Sequence, residues 1–122
     1  MPITTLSHQS KKVVFIDYEG CSNKDDMLDM VRQTTEYVLS LPDPHVLMLF
    51  DYTHAFGSRD YMKLAQESRD KIYKAKSTKS ACIGISGIKK VLLQGYNAIG
   101  GSRGLKPFNT KEEALDYLVS DD

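Results

Sequence analysis

The chain has 122 residues, 41% of them apolar and 26% charged, which is ordinary usage for a single globular domain and argues against disorder, a collagen-like repeat and a coiled-coil rod. Lys plus Arg total 16 and Asp plus Glu total 16, so no net field draws in nucleic acid or an anionic membrane. Two cysteines, Cys21 and Cys82, are too few for a disulfide framework and lack zinc-site spacing, which implies a reducing, cytoplasmic setting. The longest apolar run, Val46 to Phe50, is too short to span a bilayer, and Met1 to Ser10 has no stretch of signal-peptide length.

In chain order, Ile3 to Leu6 is a candidate opening strand, and Val13-Val14-Phe15-Ile16 is a β-branched and aromatic run of the kind buried on both faces of a sheet. From Asn23 to Leu41, Met27, Met30, Val31, Thr34, Tyr37, Val38 and Leu41 recur at three and four, which predicts an amphipathic helix. Ser22 or Asn23 caps its start, Asp25 and Asp26 favour its dipole, and Pro42 and Pro44 stop it. Val46 to Phe50 is the next core strand, ending in Asp51. A second helix is expected to begin near Ser58 and to present Tyr61, Leu64, Ala65, Ser68, Ile72 and Ala75 on one face.

Ala81 to Ile85 reads as a further core strand, followed by a helix from Ser86-Gly87 that carries Ile88, Val91, Leu92, Gly95 and Ile99 and ends at Gly100-Gly101. A short strand at Lys106 to Asn109 precedes Thr110-Lys111-Glu112-Glu113, a capping box that opens a last helix with Ala114, Leu115 and Leu118. Strand and helix alternate, and the strands are apolar throughout; crossover helices must cover such a sheet. The class is α/β, a mainly parallel sheet covered by helices in one domain over residues 1–122. The loop from Asp17 to Asn23 lacks the glycine fingerprint of a dinucleotide site, so no cofactor is expected.

The stretches Ile85-Ser86-Gly87-Ile88-Lys89-Lys90-Val91-Leu92-Leu93 and Pro107-Phe108-Asn109-Thr110-Lys111-Glu112-Glu113-Ala114-Leu115-Asp116-Tyr117-Leu118 resemble a bacterial branch of the STAS-like domains. That superfamily contains the anti-sigma factor antagonists and is related in fold to CRAL-TRIO lipid-binding domains. The resemblance covers about Lys11 to Val119 and implies a four-turn β/α superhelix with a regulatory rather than enzymatic role. In the antagonists a serine or threonine at the start of the second helix accepts phosphate from a partner kinase, and the matching position is Ser58. Here Gly57 and Arg59 flank it, where the antagonists carry Asp and Gly. Ser58 is thus read two ways, as a phosphoacceptor or as the helix cap.

Several other groups are candidates for chemistry. Asp17, Glu19 and Asp51 stand at the C-terminal ends of two strands with His54 close behind, the edge where open α/β sheets bind ligands, so a metal-dependent phosphoacceptor or enzyme there is one alternative. Acids at strand ends also accept loop hydrogen bonds, which is the commoner use, and no metal site is assigned. Ser86-Gly87 could hold an anion but reads chiefly as a cap. Cys82 reads as a small core residue. Arg69, Lys71, Lys74, Lys76 and Lys79 read as a solvated, dipole-favouring helix end.

Tyr18, Tyr52, Phe56 and Tyr61 gather in the loops after the first two core strands, where aromatics serve as partner contacts or as loop packing. The expected function is a non-enzymatic interaction module that docks a protein partner through Tyr52, Phe56, Arg59 and Tyr61. A small-molecule or lipid-binding module is the alternative. Neither nucleic acid nor membrane insertion is expected, and a homodimer is compatible with either reading.

Overall fold

The structure, a computed structural model, describes residues 3–18, 20–21, 23–53, 55, 59–85, 90, 93–94 and 105–120, with the backbone alone at Arg59. Five strands form one sheet in the order β1-β2-β3-β4-β5: β1 (Ile3–His8), β2 (Lys11–Asp17), β3 (His45–Asp51), β4 (Ser77–Ile83) and β5 (Lys106–Pro107). The first pair is antiparallel and the other three pairs are parallel, so the expected α/β class and mainly parallel sheet are those observed. Three helices are described: α1 (Lys24–Ser40), α2 (Arg59–Ala75) and α3 (Lys111–Val119). The helix expected from Ser86 to Ile99 lies largely outside the described residues.

The β1–β2 connection is a two-residue hairpin in which both Gln9 (φ 49°) and Ser10 (φ 67°) take the left-handed conformation. Such turns match the right-handed strand twist but usually recruit Asn-Gly. Gln-Ser gives no such signal, which is why the hairpin was legible only as a candidate strand.

The capping readings at the starts of α1 and α3 hold. Asn23 is the α1 cap, its Oδ1 accepting the Asp26 amide at 2.9 Å. Thr110 Oγ1 accepts the Glu113 amide at 3.1 Å while its hydroxyl donates to Glu113 Oε1 at 3.0 Å.

The lysines after α2 require a correction. Lys79 belongs to β4, which starts four residues earlier than expected, and its Nζ donates to the Ser120 carbonyl and hydroxyl at 3.1 Å and lies 4.4 Å from the Tyr117 ring centroid. Lys76 Nζ donates to the carbonyls of Leu41 and Asp43 at 2.7 and 2.6 Å. It supplies the positive charge that the last turn of α1 lacks. These two lysines tie elements together instead of solvating a helix end.

Strand alternation splits the core in two. On one face Val14, Ile16, Met48 and Cys82 meet Met27, Met30, Val31 and Val38 of α1 and Tyr61 and Ile72 of α2. On the other, Val13, Leu47, Leu49, Ala81 and Ile83 meet Ala114, Leu115, Leu118 and Val119 of α3. Side by side on the first face, α1 and α2 share a hydrogen bond between Thr35 Oγ1 and Ser68 Oγ. Among the described residues no helix is long and apolar enough to cross a membrane.

Candidate functional site

The candidate site is the C-terminal edge of β2, β3 and β4, and its backbone is tightly determined. Tyr18 N donates to Asp51 O and Tyr52 N to Ile83 O, both at 2.9 Å, so the parallel ladder continues one residue past each strand. The loops then turn back, Cys21 N bonding Tyr18 O and Ala55 N bonding Tyr52 O at 2.9 Å. Gly84 closes this edge from the β4 side at φ +79°. A Cβ there would collide with the Thr53 backbone nitrogen, so a glycine is needed both for the left-handed backbone and for the close approach.

Alternation also divides the acids from the tyrosines. Asp17 and Asp51 are register partners at the ends of β2 and β3, one residue out of phase with Tyr18 and Tyr52. The Asp51 carboxylate accepts the Thr53 amide at 3.0 Å, a local turn contact of the kind Asp commonly makes. Among the described residues no three metal-ligating side chains gather into a site. Glu19 and His54, the other members of the acidic candidate, lie outside the described residues.

The aromatic group is a buried stack. Tyr18 lies parallel to Tyr52 with ring centroids 4.9 Å apart, Phe50 stacks beyond Tyr52 at 6.0 Å, and Tyr61 meets Tyr18 edge-on at 5.7 Å. Tyr18, Tyr52 and Tyr61 are only 1%, 7% and 6% exposed. A hydrogen bond of 2.6 Å joins the hydroxyls of Tyr52 and Tyr61. Burial, followed by the neighbouring Tyr18 and Tyr52, holds the Tyr61 hydroxyl well above the ordinary phenol range, so it stays protonated. Chemically the stack is a rigid, neutral floor that anchors the β2 and β3 exit loops to the first turns of α2.

Of the residues singled out in the sequence for partner contact, Tyr52 and Tyr61 are thus brought together in the interior. Phe56 and Ser58 lie outside the described residues, as does the Arg59 side chain. Because α2 begins at Arg59, Ser58 immediately precedes it in the chain. Both cysteines are buried thiols, and burial pushes Cys82 up to about 12.

Sequence reasoning missed one residue. Arg69 was grouped with the solvated cations but is 6% exposed, on the inward side of α2. Four residues after Ala65 and three before Ile72, it occupies the same stripe, so helical spacing alone carried the signal. Ala75, expected on that stripe, is exposed instead. Arg69 helps line a cavity of about 80 Å³ between α1, α2 and the sheet, bounded also by Tyr18, Met27, Met48, Tyr61 and Ile72.

No family model matches the chain, and no curated protein does. Solved structures do. An anti-sigma-factor antagonist (STAS) domain protein from Planctomyces limnophilus aligns with a TM-score of 0.70 at 16% identity, over 97% of this chain and 98% of that one. An uncharacterized DUF3478-family protein with a SpoIIAA-like fold from Shewanella loihica PV-4 aligns with a TM-score of 0.68 at 20% identity, over 95% of this chain and 91% of that one. The fold is therefore STAS-like, as the sequence resemblance implied.

Proposed function

We propose that the domain is a non-enzymatic regulatory module of the cytoplasm that docks a protein partner on the C-terminal edge of its sheet and the outer face of α2. The observation that carries this reading is the buried tyrosine stack, which couples the two exit loops to α2 and holds that edge as one rigid surface. The STAS-like fold supports it at the level of architecture. Tyr52 and Tyr61 act from beneath, by positioning, while Phe56 and Arg59 make contact. Asp60, Lys63, Glu67, Asp70 and Lys71 on the exposed face of α2 supply charge patterning for partner choice.

The direct test is crosslinking-assisted capture with wild type, Phe56→Ala and Lys63→Glu plus Lys71→Glu. Partners recovered by wild type should be lost from the variants; undiminished recovery by all three proteins would exclude this surface.

Ser58 is assigned to capping α2. Ser58→Ala should then lower stability by about 1 kcal/mol, whereas Ser58→Asp should hold or raise it, because Asp caps equally well and complements the helix dipole. Thermal melts and partner titration of both variants check this. Loss of partner binding confined to a well-folded Ser58→Asp would instead make Ser58 a phosphorylation switch.

A further inference from the structure

The two edges of the sheet are built differently. At one, β5 has only two residues, both exposed, and they are the lysine Lys106 and the proline Pro107. Shortness, lysine and proline are the devices that keep a sheet edge from pairing further. At the other edge β1 has none of them. It runs for six residues, Ile3–His8, in unbroken register with β2 and so without a bulge, and it contains no proline, lysine or acid. Its one titratable side chain, His8, is bound to Asp116 of α3 at 2.8 Å. Among the described residues no backbone group pairs with the outer side of β1.

The hairpin fixes which backbone groups point outward. The tight turn at Gln9-Ser10 closes on His8 and Lys11, so this pair exchanges hydrogen bonds, and alternate pairs back along the ladder do the same. Thr4, Leu6 and His8 therefore bond to β2, whereas Ile3, Thr5 and Ser7 turn their N–H and C=O groups away from it. Thr4, Thr5 and Ser7 are exposed, and Thr5 Oγ1 shares a 2.7 Å hydrogen bond with the Tyr37 hydroxyl of α1.

We propose that β1 pairs antiparallel with β1 of a second copy of this chain, about a two-fold axis beside Thr5, so that two five-stranded sheets join into one. A second copy suits this edge because a two-fold axis normal to the sheet generates an antiparallel strand pair, in which one set of outward groups serves both sides. Such an axis keeps α1 of both copies on the same face, which places Thr5 opposite Thr5 and Ile3 opposite Ser7. Opposed threonines are a favourable cross-strand pair. No charged residue of β1 meets its own copy across the seam, and a chain of zero net charge does not repel another. The inference rests on the strand edge alone and not on the docking surface proposed above; a dimer would carry that surface twice.

The test is sedimentation of wild type and Thr5→Lys over about 5 to 500 µM, since a strand pair of this length makes a small interface with dissociation expected at micromolar concentration. Wild type should pass from monomer to dimer. Thr5→Lys, which sets two like charges face to face, should raise the dissociation constant at least about tenfold while keeping the wild-type circular dichroism spectrum. Mild oxidation of two cysteine variants tests the register, with the native thiols buried and out of competition. Thr5→Cys should crosslink into a dimer, because opposed Cα atoms of a hydrogen-bonded pair lie about 5.5 Å apart, within disulfide reach, whereas Ser7→Cys should not. Should Thr5→Lys fail to fold, the cysteine variants decide. A wild type that stays monomeric throughout, undiminished dimerisation of folded Thr5→Lys, or crosslinking of Thr5→Cys no greater than that of Ser7→Cys would each overturn the proposal.

Discussion

The two faces of the sheet are built from the same strands but by different means. Beneath α3, Val13, Leu47, Leu49, Ala81 and Ile83 meet Ala114, Leu115, Leu118 and Val119, branched or small aliphatic chains with few rotamers. Beneath α1 and α2 the core draws on Met27, Met30, Met48, the tyrosine stack, Cys82 and the buried Arg69, and it leaves a cavity. Thioethers adapt to irregular space, and aromatic hydroxyls demand partners. The core beneath α3 is thus mainly aliphatic, whereas the core beneath α1 and α2 accepts a buried arginine, hydrogen-bonded tyrosines and unfilled volume.

The largest expected effect sharpens that contrast. Leu49→Ala, fully buried beneath α3, should lower stability by about 3 kcal/mol, while Met48→Ala, its chain neighbour on the cavity side, should cost nearer to about 2 kcal/mol because its surroundings are already loosely filled. Urea unfolding of the pair measures both; equal losses would show that the faces are packed alike.

A pH series separates them next. The Cys82 thiol has an ordinary value of 9.0 and is raised to about 12 in the fold, so unfolded chains release a proton that folded chains retain as pH climbs through that window. Stability should be full below pH 9 and about 1.4 kcal/mol lower near pH 10 from this group alone. Tyr61, raised above 10.0, adds to the loss at higher pH. Cys82→Ala should flatten the decline between pH 9 and 10 in denaturant titrations, and an unaltered slope would remove Cys82 as its source.

The smallest effect concerns the α3 cap. Thr110→Ala removes the acceptor for the Glu113 amide and should cost about 1 kcal/mol, read as a shift in urea midpoint, without disturbing the tyrosine signals on the opposite face. A concurrent change in those signals would mean that the two faces communicate through the sheet.

Local chemistry made much of the architecture readable. The runs Val13 to Ile16 and Val46 to Phe50 are apolar at every position because helices cover both sides of their strands, and the caps at Asn23 and Thr110 declare themselves by short-range hydrogen bonds. The site was less legible. Tyr18, Tyr52 and Tyr61 were visible as a group, but whether they face a partner or one another depends on how β2 and β3 align and where α2 lies, which no local pattern encodes.

By itself, then, the amino-acid sequence determined the α/β class, the strand and helix order and the hydrophobic seams, since periodicity and capping act over a few residues. Only the tertiary structure decided that Arg69 turns inward, that Lys76 and Lys79 serve carbonyls of distant segments, and that Gly84 must yield to Thr53. A charged side chain's fate depends on which groups converge on it from elements far apart in the chain, and that convergence exists only once the sheet and helices have packed.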